Sequence, residues 1–368
     1  MLKVTFPRMG HSYIAFKMLM EEMGNEVIVP PRPSKKTLDL GVQHAPEFAC
    51  LPFKILLGTY LETIEMGANT LVTSGGHGPC RAGLYAQVHH RIIEDLGHKV
   101  NMVCFESPLR HPIDFLKKVN FLNSARLSYR AVYQAIKKGW HKLKALDNVE
   151  KLTHKIRPRE LVAGTTSKVY HKAQLWLDKA KTYGQIDEAY NESVKALNSI
   201  PQDPDRMVLK VGMIGEIYVL LEPASNQEIE EILGNLGVEV ERSIFLTGWT
   251  RDNLNKNSED VATCHEAAKS WIPVAIGGHG QDSVGHTVLY AQRGFDGVIQ
   301  LAPFTCIPEI VSKTVLTKVS RKYDIPVLTF FLDEQTGKAG MATRLEAFVD
   351  LLKRKKLARL DTHPAVTS

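Results

Sequence analysis

Short apolar runs rich in β-branched residues alternate with helix-patterned stretches in two separate blocks of the chain, and this alternation limits the possible folds more than any other feature. In the first block Val4 to Arg8, Glu26 to Val29, residues 69 to 73 and Val100 to Phe105 read as strands. Ser12 is placed to cap a helix through Glu22 that Gly24 stops, and Pro30, Pro31 and Pro33 close the second strand. In the second block Val208 to Ile214, Glu216 to Leu221, Val240 to Phe245, Val274 to Ile276, Val298 to Leu301 and Val327 to Phe330 read as strands, with helical patterns such as Gln227 to Leu236 and Arg344 to Leu352 between them. Strands that alternate with helices build parallel sheets covered by helices, with functional loops at the carboxyl ends of the strands. Between the blocks, Pro112 to Ser199 is almost continuous helical pattern. The expectation is an α/β protein with two Rossmann-like domains, each on a parallel sheet, and an inserted mainly helical region. The boundaries are 1–111, 112–205 and 206–356, with a tail at 357–368. At 368 residues and 44% hydrophobic, the chain can bury more than one core. From Lys353 it turns basic, then polar, and is expected to fray.

Three cysteines stand at predicted helix starts. Thr73-Ser74-Gly75-Gly76-His77-Gly78-Pro79-Cys80-Arg81 carries the chain from a strand into a helical pattern, while Cys50-Leu51-Pro52 and Cys306-Ile307-Pro308 share the order cysteine, any residue, proline. Proline suits the first helical turn because the N–H it lacks has no partner there. The positive end of a helix favours a thiolate, and three such ends together suit a polyanionic, thiolate-ligated cluster. Ordinary buried thiols are the competing reading. The five cysteines are odd in number and widely spaced, and no signal peptide is evident, so a reducing, cytoplasmic setting is expected rather than a disulfide framework. Cys104 falls inside a strand and reads as core; Cys264 falls mid-helix, with no loop to aim it.

The same loops hold the other polar candidates. His77 and His279 occupy matching places in Gly75-Gly76-His77-Gly78 and Gly277-Gly278-His279-Gly280, and Tyr85-Ala86-Gln87 and Tyr290-Ala291-Gln292 follow at the same offset, so the halves look like copies of one design. Each histidine is either a structural hydrogen-bonder or a proton carrier. Arg81 directly follows Cys80 and compensates negative charge, and Glu309 in the first turn after Cys306 complements the helix dipole. No phosphate-binding P-loop is present, because Thr336-Gly337-Lys338-Ala339 lacks the upstream glycine and the hydroxyl. Neither glycine loop completes the dinucleotide fingerprint, since Arg81 and Ser283 hold its last position, and there are no Cys-x-x-Cys pairs for a zinc ribbon. Lys117, Lys118, Lys137, Lys138, Lys142 and Lys144 make the helical stretch basic, as a solvated face or as a docking surface for an acidic partner. The net charge of +6 permits nucleic-acid binding, but no basic run is interleaved with aromatics, and no apolar run reaches membrane-spanning length.

Five segments together resemble a known family. Pro46 to Lys54, Gly75 to Arg81, Gly277 to Gly285, Pro303 to Glu309 and Asp333-Glu334-Gln335-Thr336-Gly337 are similar to the 2-hydroxyacyl-CoA dehydratase-related proteins, in the branch labelled CoA-substrate-specific enzyme activase-related that includes cubane and double-cubane cluster reductases. The resemblance spans both α/β blocks and not the helical stretch. It implies an oxygen-sensitive protein with a [4Fe-4S] cluster between Rossmann-like domains. Cys50, Cys80 and Cys306 would be its ligands. The implied partners are a separate ATP-hydrolysing activator, itself carrying a [4Fe-4S] cluster, a small-molecule substrate such as an acyl-CoA, and a second copy of the chain in a homodimer. No membrane or nucleic-acid partner is implied. Many relatives carry a cysteine where this chain has His77, and five cysteines favour one cubane over two. Three thiolates leave a fourth iron to water, substrate, Cys264 or His77. His77, His279, Arg81 and Glu309 are the candidates for catalytic work. The resulting expectation is an electron-accepting reductase or dehydratase-like component. A non-redox accessory protein that holds a phosphorylated or CoA-like ligand between the domains is the alternative.

Overall fold

The computed structural model describes residues 2–75, 80–254 and 259–362. Its first unit runs β1 (Lys3–Thr5), α1 (Tyr13–Glu22), β2 (Glu26–Val27), α2 (Lys35–His44), α3 (Leu51–Glu65), β3 (Thr70–Ser74), α4 (Tyr85–Asp95) and β4 (Asn101–Phe105). Four helices follow: α5 (Pro112–Leu122), α6 (Tyr129–Ile156), α7 (Thr165–Lys179) and α8 (Tyr183–Asn198). The second unit runs β5 (Leu209–Gly215), α9 (Ile217–Leu221), α10 (Ile229–Asn235), β6 (Val238–Arg242), α11 (Leu246–Leu254), α12 (Glu259–Lys269), α13 (Gly280–Gln292), β7 (Gly297–Pro303), α14 (Ile307–Tyr323), β8 (Val327–Leu332) and α15 (Lys338–Thr362). The fold is α/β with two Rossmann-like units, as the alternation of patterns implies. No described helix is long and apolar enough to cross a membrane.

Both sheets are parallel and share one strand order, β2-β1-β3-β4 and β6-β5-β7-β8. The identical order pairs β3 with β7. The helix entering the third strand is then α3 in one unit and α13 in the other, and the segment leaving it begins at Cys80 in one and at Cys306 in the other. This corrects the equivalence read from the glycine loops. The loop at Gly75 follows a third strand, whereas Gly277 to Gly280 precedes one. Two short glycine-histidine strings match in letters without matching in place.

Several local expectations also change. Glu216 to Leu221 is not a strand: the Glu216 carboxylate accepts from the N–H groups of Tyr218 (3.0 Å) and Val219 (3.1 Å) and caps α9. Gly215 before it has φ +140°, and a Cβ there would lie 2.0 Å from the Leu301 carbonyl oxygen, so the chain turns out of the sheet at the one residue that fits. Val274 to Ile276 is loop, lying between Pro273 and the left-handed Gly277 with no strand beside it. Cys80 opens a 3-10 turn, Arg81–Leu84, which leads into α4. Helix α15 continues past Lys353 to Thr362, because Phe348, Val349 and Leu352 anchor it in the core.

Helix α3 is the pivot of the packing. Thirteen of its fifteen residues are buried, and one apolar cluster joins Phe53, Leu57 and Leu61 of this helix to Leu71 of the first sheet and to Val211, Leu301 and Phe330 of the second. A helix buried on nearly all sides must be apolar all round, which Leu51-Pro52-Phe53-Lys54-Ile55-Leu56-Leu57 nearly is. The exception, Lys54, is paired with Glu334 of the second unit at 2.9 Å. The helical stretch packs through α6, α7 and α8 onto α1, and its basic residues are not one solvated face: Lys142 is fully buried, with its ammonium donating to the Asp178 carbonyl (3.3 Å).

Candidate functional site

In a parallel unit each helix runs back against its strands, so helix N-termini collect at the carboxyl edge of the sheet. Cys50 caps α3, Cys80 caps the 3-10 turn after β3, and Cys306 caps α14 after β7. The sequence thus puts all three cysteines at carboxyl edges, and tertiary contacts bring those edges together. The Arg81 guanidinium makes the join. Its Nη1 donates to the Phe48 carbonyl (2.8 Å), two residues before Cys50, and its Nη2 donates to the carbonyl (2.7 Å) and hydroxyl (3.1 Å) of Thr305, the residue before Cys306. The Thr305 hydroxyl in turn donates to Phe48 (3.1 Å). Thr305 has φ +68°, a left-handed conformation that costs a β-branched residue of order 1–3 kcal/mol. One arginine fork therefore ties together the loops that carry the three cysteines.

The thiols share neighbours as well. Cys50 is hydrogen-bonded to the Tyr85 hydroxyl, Tyr85 senses Cys80, and Cys306 senses Cys50. The charge of Glu216, at the carboxyl end of β5, acts on all three cysteines. Burial pushes the pKa of each thiol above the ordinary value and the Glu216 charge adds to this, while Arg81 pulls Cys50 and Cys80 partly back. N–H groups of the first turns, from Phe53, Ala82 and Glu309, also favour the thiolates without closing a full capping hydrogen bond. The helix-start effect expected from the sequence is present but smaller than the desolvation. Burial likewise raises the Glu216 pKa.

The donor set suits a cationic, sulfur-seeking guest. Two buried thiols, Cys50 and Cys306, with the half-buried Cys80 and the half-buried Glu216 carboxylate, lie around the crevice at the carboxyl edges, and thiols so placed release their protons in exchange for metal. The only described set of three ligating side chains whose donor atoms all lie within 4.8 Å of one another is Glu150, His154 and Glu230, away from the cysteines. The three cysteine sulfurs are not such a set. A cubane, in which each thiolate takes its own iron, asks for a wider set. The Glu150 group already has its cation, because Arg242 is ion-paired with both Glu150 and Glu230.

The other candidates divide. His279 caps α13 beside the crevice; its Nδ1 is 3.2 Å from the Asp282 carboxylate, and its side chain is 16% exposed. Burial opposes its charged form, but Asp282, with Glu216 and Glu309 beyond, raises its pKa. Glu309 is fully buried and saturated by the Ser283 hydroxyl (3.0 Å), the Gln300 amide (2.8 Å) and the Ser312 hydroxyl (3.3 Å). From the first turn of α14, where an acidic side chain was expected, it fastens α13, α14 and β7 to one another, and burial lifts its pKa to about 7. His77 lies outside the described residues. Cys264 is turned into the packing between α12 and α13, where its thiol donates to the Asp282 carbonyl (3.6 Å). Cys104 is half-buried on β4 rather than in the core, and its charged neighbours are Lys118, Glu106 and Asp114. Glu216 escapes a reading of the sequence because its run looks like a strand; Gly215 before it is the one local signal of a turn. No protein-family model matches this chain, and no curated protein matches it.

Proposed function

We propose that the crevice holds a [4Fe-4S] cluster on Cys50, Cys80 and Cys306, and that the protein is an electron-accepting reductase or dehydratase-like component related to the 2-hydroxyacyl-CoA dehydratases. The observation that carries this reading is the Arg81 fork, which joins Phe48 and Thr305 and so gathers three cysteine loops from distant parts of the chain. When bound, such a cluster supplies one-electron transfer at low potential, and an iron lacking a protein thiolate adds Lewis acidity. The chain's own residues have separable tasks. The thiols bind, Tyr85 and the first-turn N–H groups hold the sulfurs in place, and Arg81 offsets negative charge at the rim. Cys50 belongs to the apolar cluster around α3, which keeps that thiol from water.

The electron donor in this reading is a separate ATP-hydrolysing [4Fe-4S] protein, since this sequence carries no phosphate-binding loop of its own. The substrate is a small molecule, with acyl-CoA thioesters the first class to try, and a homodimer is the expected assembly. A phosphorylated or CoA-like ligand without a cluster is the competing reading. Protein isolated anaerobically is expected to carry about four irons per chain and to bleach in air, and Cys50→Ala, Cys80→Ala and Cys306→Ala should each lose most of the iron. A colourless, iron-free protein from anaerobic cells overturns the proposal. Ligand-induced shifts in melting temperature that survive all three substitutions favour the competitor.

A further inference from the structure

The shared strand order of the two sheets has a consequence for the fourth iron. Cys80 and Cys306 are counterparts, each beginning the segment that leaves the third strand. Cys50 caps the helix that enters β3, and its counterpart, the residue capping the helix that enters β7, is His279. The pseudo-symmetric set is thus Cys50 and Cys80 from one unit with His279 and Cys306 from the other.

The local geometry agrees with that placement. Gly278, next to His279, has φ +50°, and a Cβ built on it would stand 3.0 Å from Pro308 in the first turn after Cys306 and 3.8 Å from the Cys80 sulfur. The backbone at His279 is therefore wedged between two of the thiol-bearing turns. The Glu216 charge acts on His279 as it acts on the three cysteines. The imidazole is held by its far side, since Nδ1 meets Asp282 Oδ2 at 3.2 Å while Asp282 Oδ1 meets His265 Nε2 at 2.9 Å. A carboxylate on one ring nitrogen is the usual support of a metal-binding histidine, because it places the proton on that nitrogen and leaves a lone pair on the other. Nε2 of His279 makes no hydrogen bond among the described residues. Cys264, the spare thiol, is engaged with the Asp282 carbonyl and does not compete.

We propose that His279 is the fourth protein ligand of the cluster, binding through Nε2, and that Asp282 is its positioning residue. The inference rests on the cluster reading above. A neutral imidazole in place of a thiolate makes the cluster less negative and raises its reduction potential.

The test uses full-length protein purified anaerobically, reduced with dithionite and studied by pulsed EPR with and without ¹⁵N-histidine labelling, beside iron analysis and a potentiometric titration. The expected result is about four irons per chain with a strong histidine nitrogen coupling. His279→Ala should abolish that coupling, and His279→Cys should abolish it, keep the iron and lower the midpoint potential. Asp282→Asn leaves the imidazole in place and should alter the size of the coupling, which covers the case in which His279→Ala does not fold. An iron-free wild-type protein removes the cluster reading and this inference with it. An iron-loaded wild type without histidine coupling, or His279→Cys with an unchanged spectrum and potential, overturns the histidine assignment and leaves the three-cysteine reading standing.

Discussion

Arg81 is exposed at the rim of the crevice, yet its two nitrogens reach backbone on either side of it, so its value lies in geometry more than in charge. Arg81→Lys keeps the cation and loses the fork. Net hydrogen bonds are worth roughly 0.5–1.5 kcal/mol each, and exposed ones sit at the low end, so the melting temperature should fall by only a few degrees, while iron retained after anaerobic desalting should fall by more than half. Equal iron retention in the two proteins would show that the loops hold themselves. Glu309 makes a prediction of the opposite kind. Its pKa rises on folding from an ordinary 4.5 to about 7, so the folded state holds a proton that the unfolded state releases. This contribution to stability is complete below pH 4.5 and is lost as pH rises to about 7. Glu309→Gln stays neutral, so the stability difference between wild type and variant, measured by urea unfolding, should shift in the variant's favour across that interval. A difference independent of pH would show that Glu309 is ionised throughout. The cysteines were legible in the sequence because proline after a helix start leaves a local mark. Glu216 was not, because a five-residue apolar run such as Ile217 to Leu221 has too few positions to separate a helix from a strand.

At the scale of elements, the site depends on how closely α2 and α3 approach. A Cβ on Gly41 would lie 1.8 Å from the Lys54 carbonyl oxygen, and one on Gly58 would lie 1.8 Å from the Thr37 carbonyl oxygen, so the two helices touch backbone to backbone. Neither atom belongs to a side chain that can swing away. Gly58→Ala should therefore cost at least the 1–3 kcal/mol typical of an overpacked core and displace the start of α3, lowering iron content as well as stability. Chemical unfolding with iron analysis checks both, and a variant as stable as wild type would mean that the helices separate freely. These contacts explain why Gly41 and Gly58 sit inside helices, where glycine is normally unfavourable, a signal visible in the sequence but silent about its partner. The repeat of the two halves was legible in a different sense. Matching glycine-histidine strings suggested duplication, and duplication is what the sheets display, but only strand pairing shows which segments correspond. Sequence similarity over four residues is too short to fix register against an inserted helix, and here it aligned the wrong loops.

The whole molecule is held together by a buried charge network that joins its three parts. His11 of the first unit meets Asp147 of α6 at 2.7 Å and Glu150 at 3.5 Å; Glu150 is paired with Arg242 of the second unit, Arg242 with Glu230, and Glu230 with His154. Asp147 also accepts from the N–H (3.0 Å) and hydroxyl (2.5 Å) of Thr247. None of this was legible in the sequence, because the charged members lie up to 231 positions apart, from His11 to Arg242, and each looks like an ordinary surface charge. Burial alone would lower the His11 pKa, but Glu150 and Asp147 outweigh it and raise it from 6.5 to about 10. A histidine whose folded pKa is raised contributes stability that is complete below its unfolded value, here 6.5, and disappears as pH climbs through the folded value. The carboxylates act in the opposite sense, since the pKa values of Asp147 and Glu150 are lowered and their contribution is lost on acidification. His11→Ala leaves buried carboxylates short of a cation, which costs about 3–5 kcal/mol when one partner of a buried pair is removed. That penalty should be full at pH 6.5 and shrink towards pH 10, so the unfolding free energies of wild type and variant should converge with rising pH. Parallel curves over that range would mean that His11 is neutral in the folded protein. Convergence would show that the junction of the first unit with α6 draws stability from a proton on a single histidine.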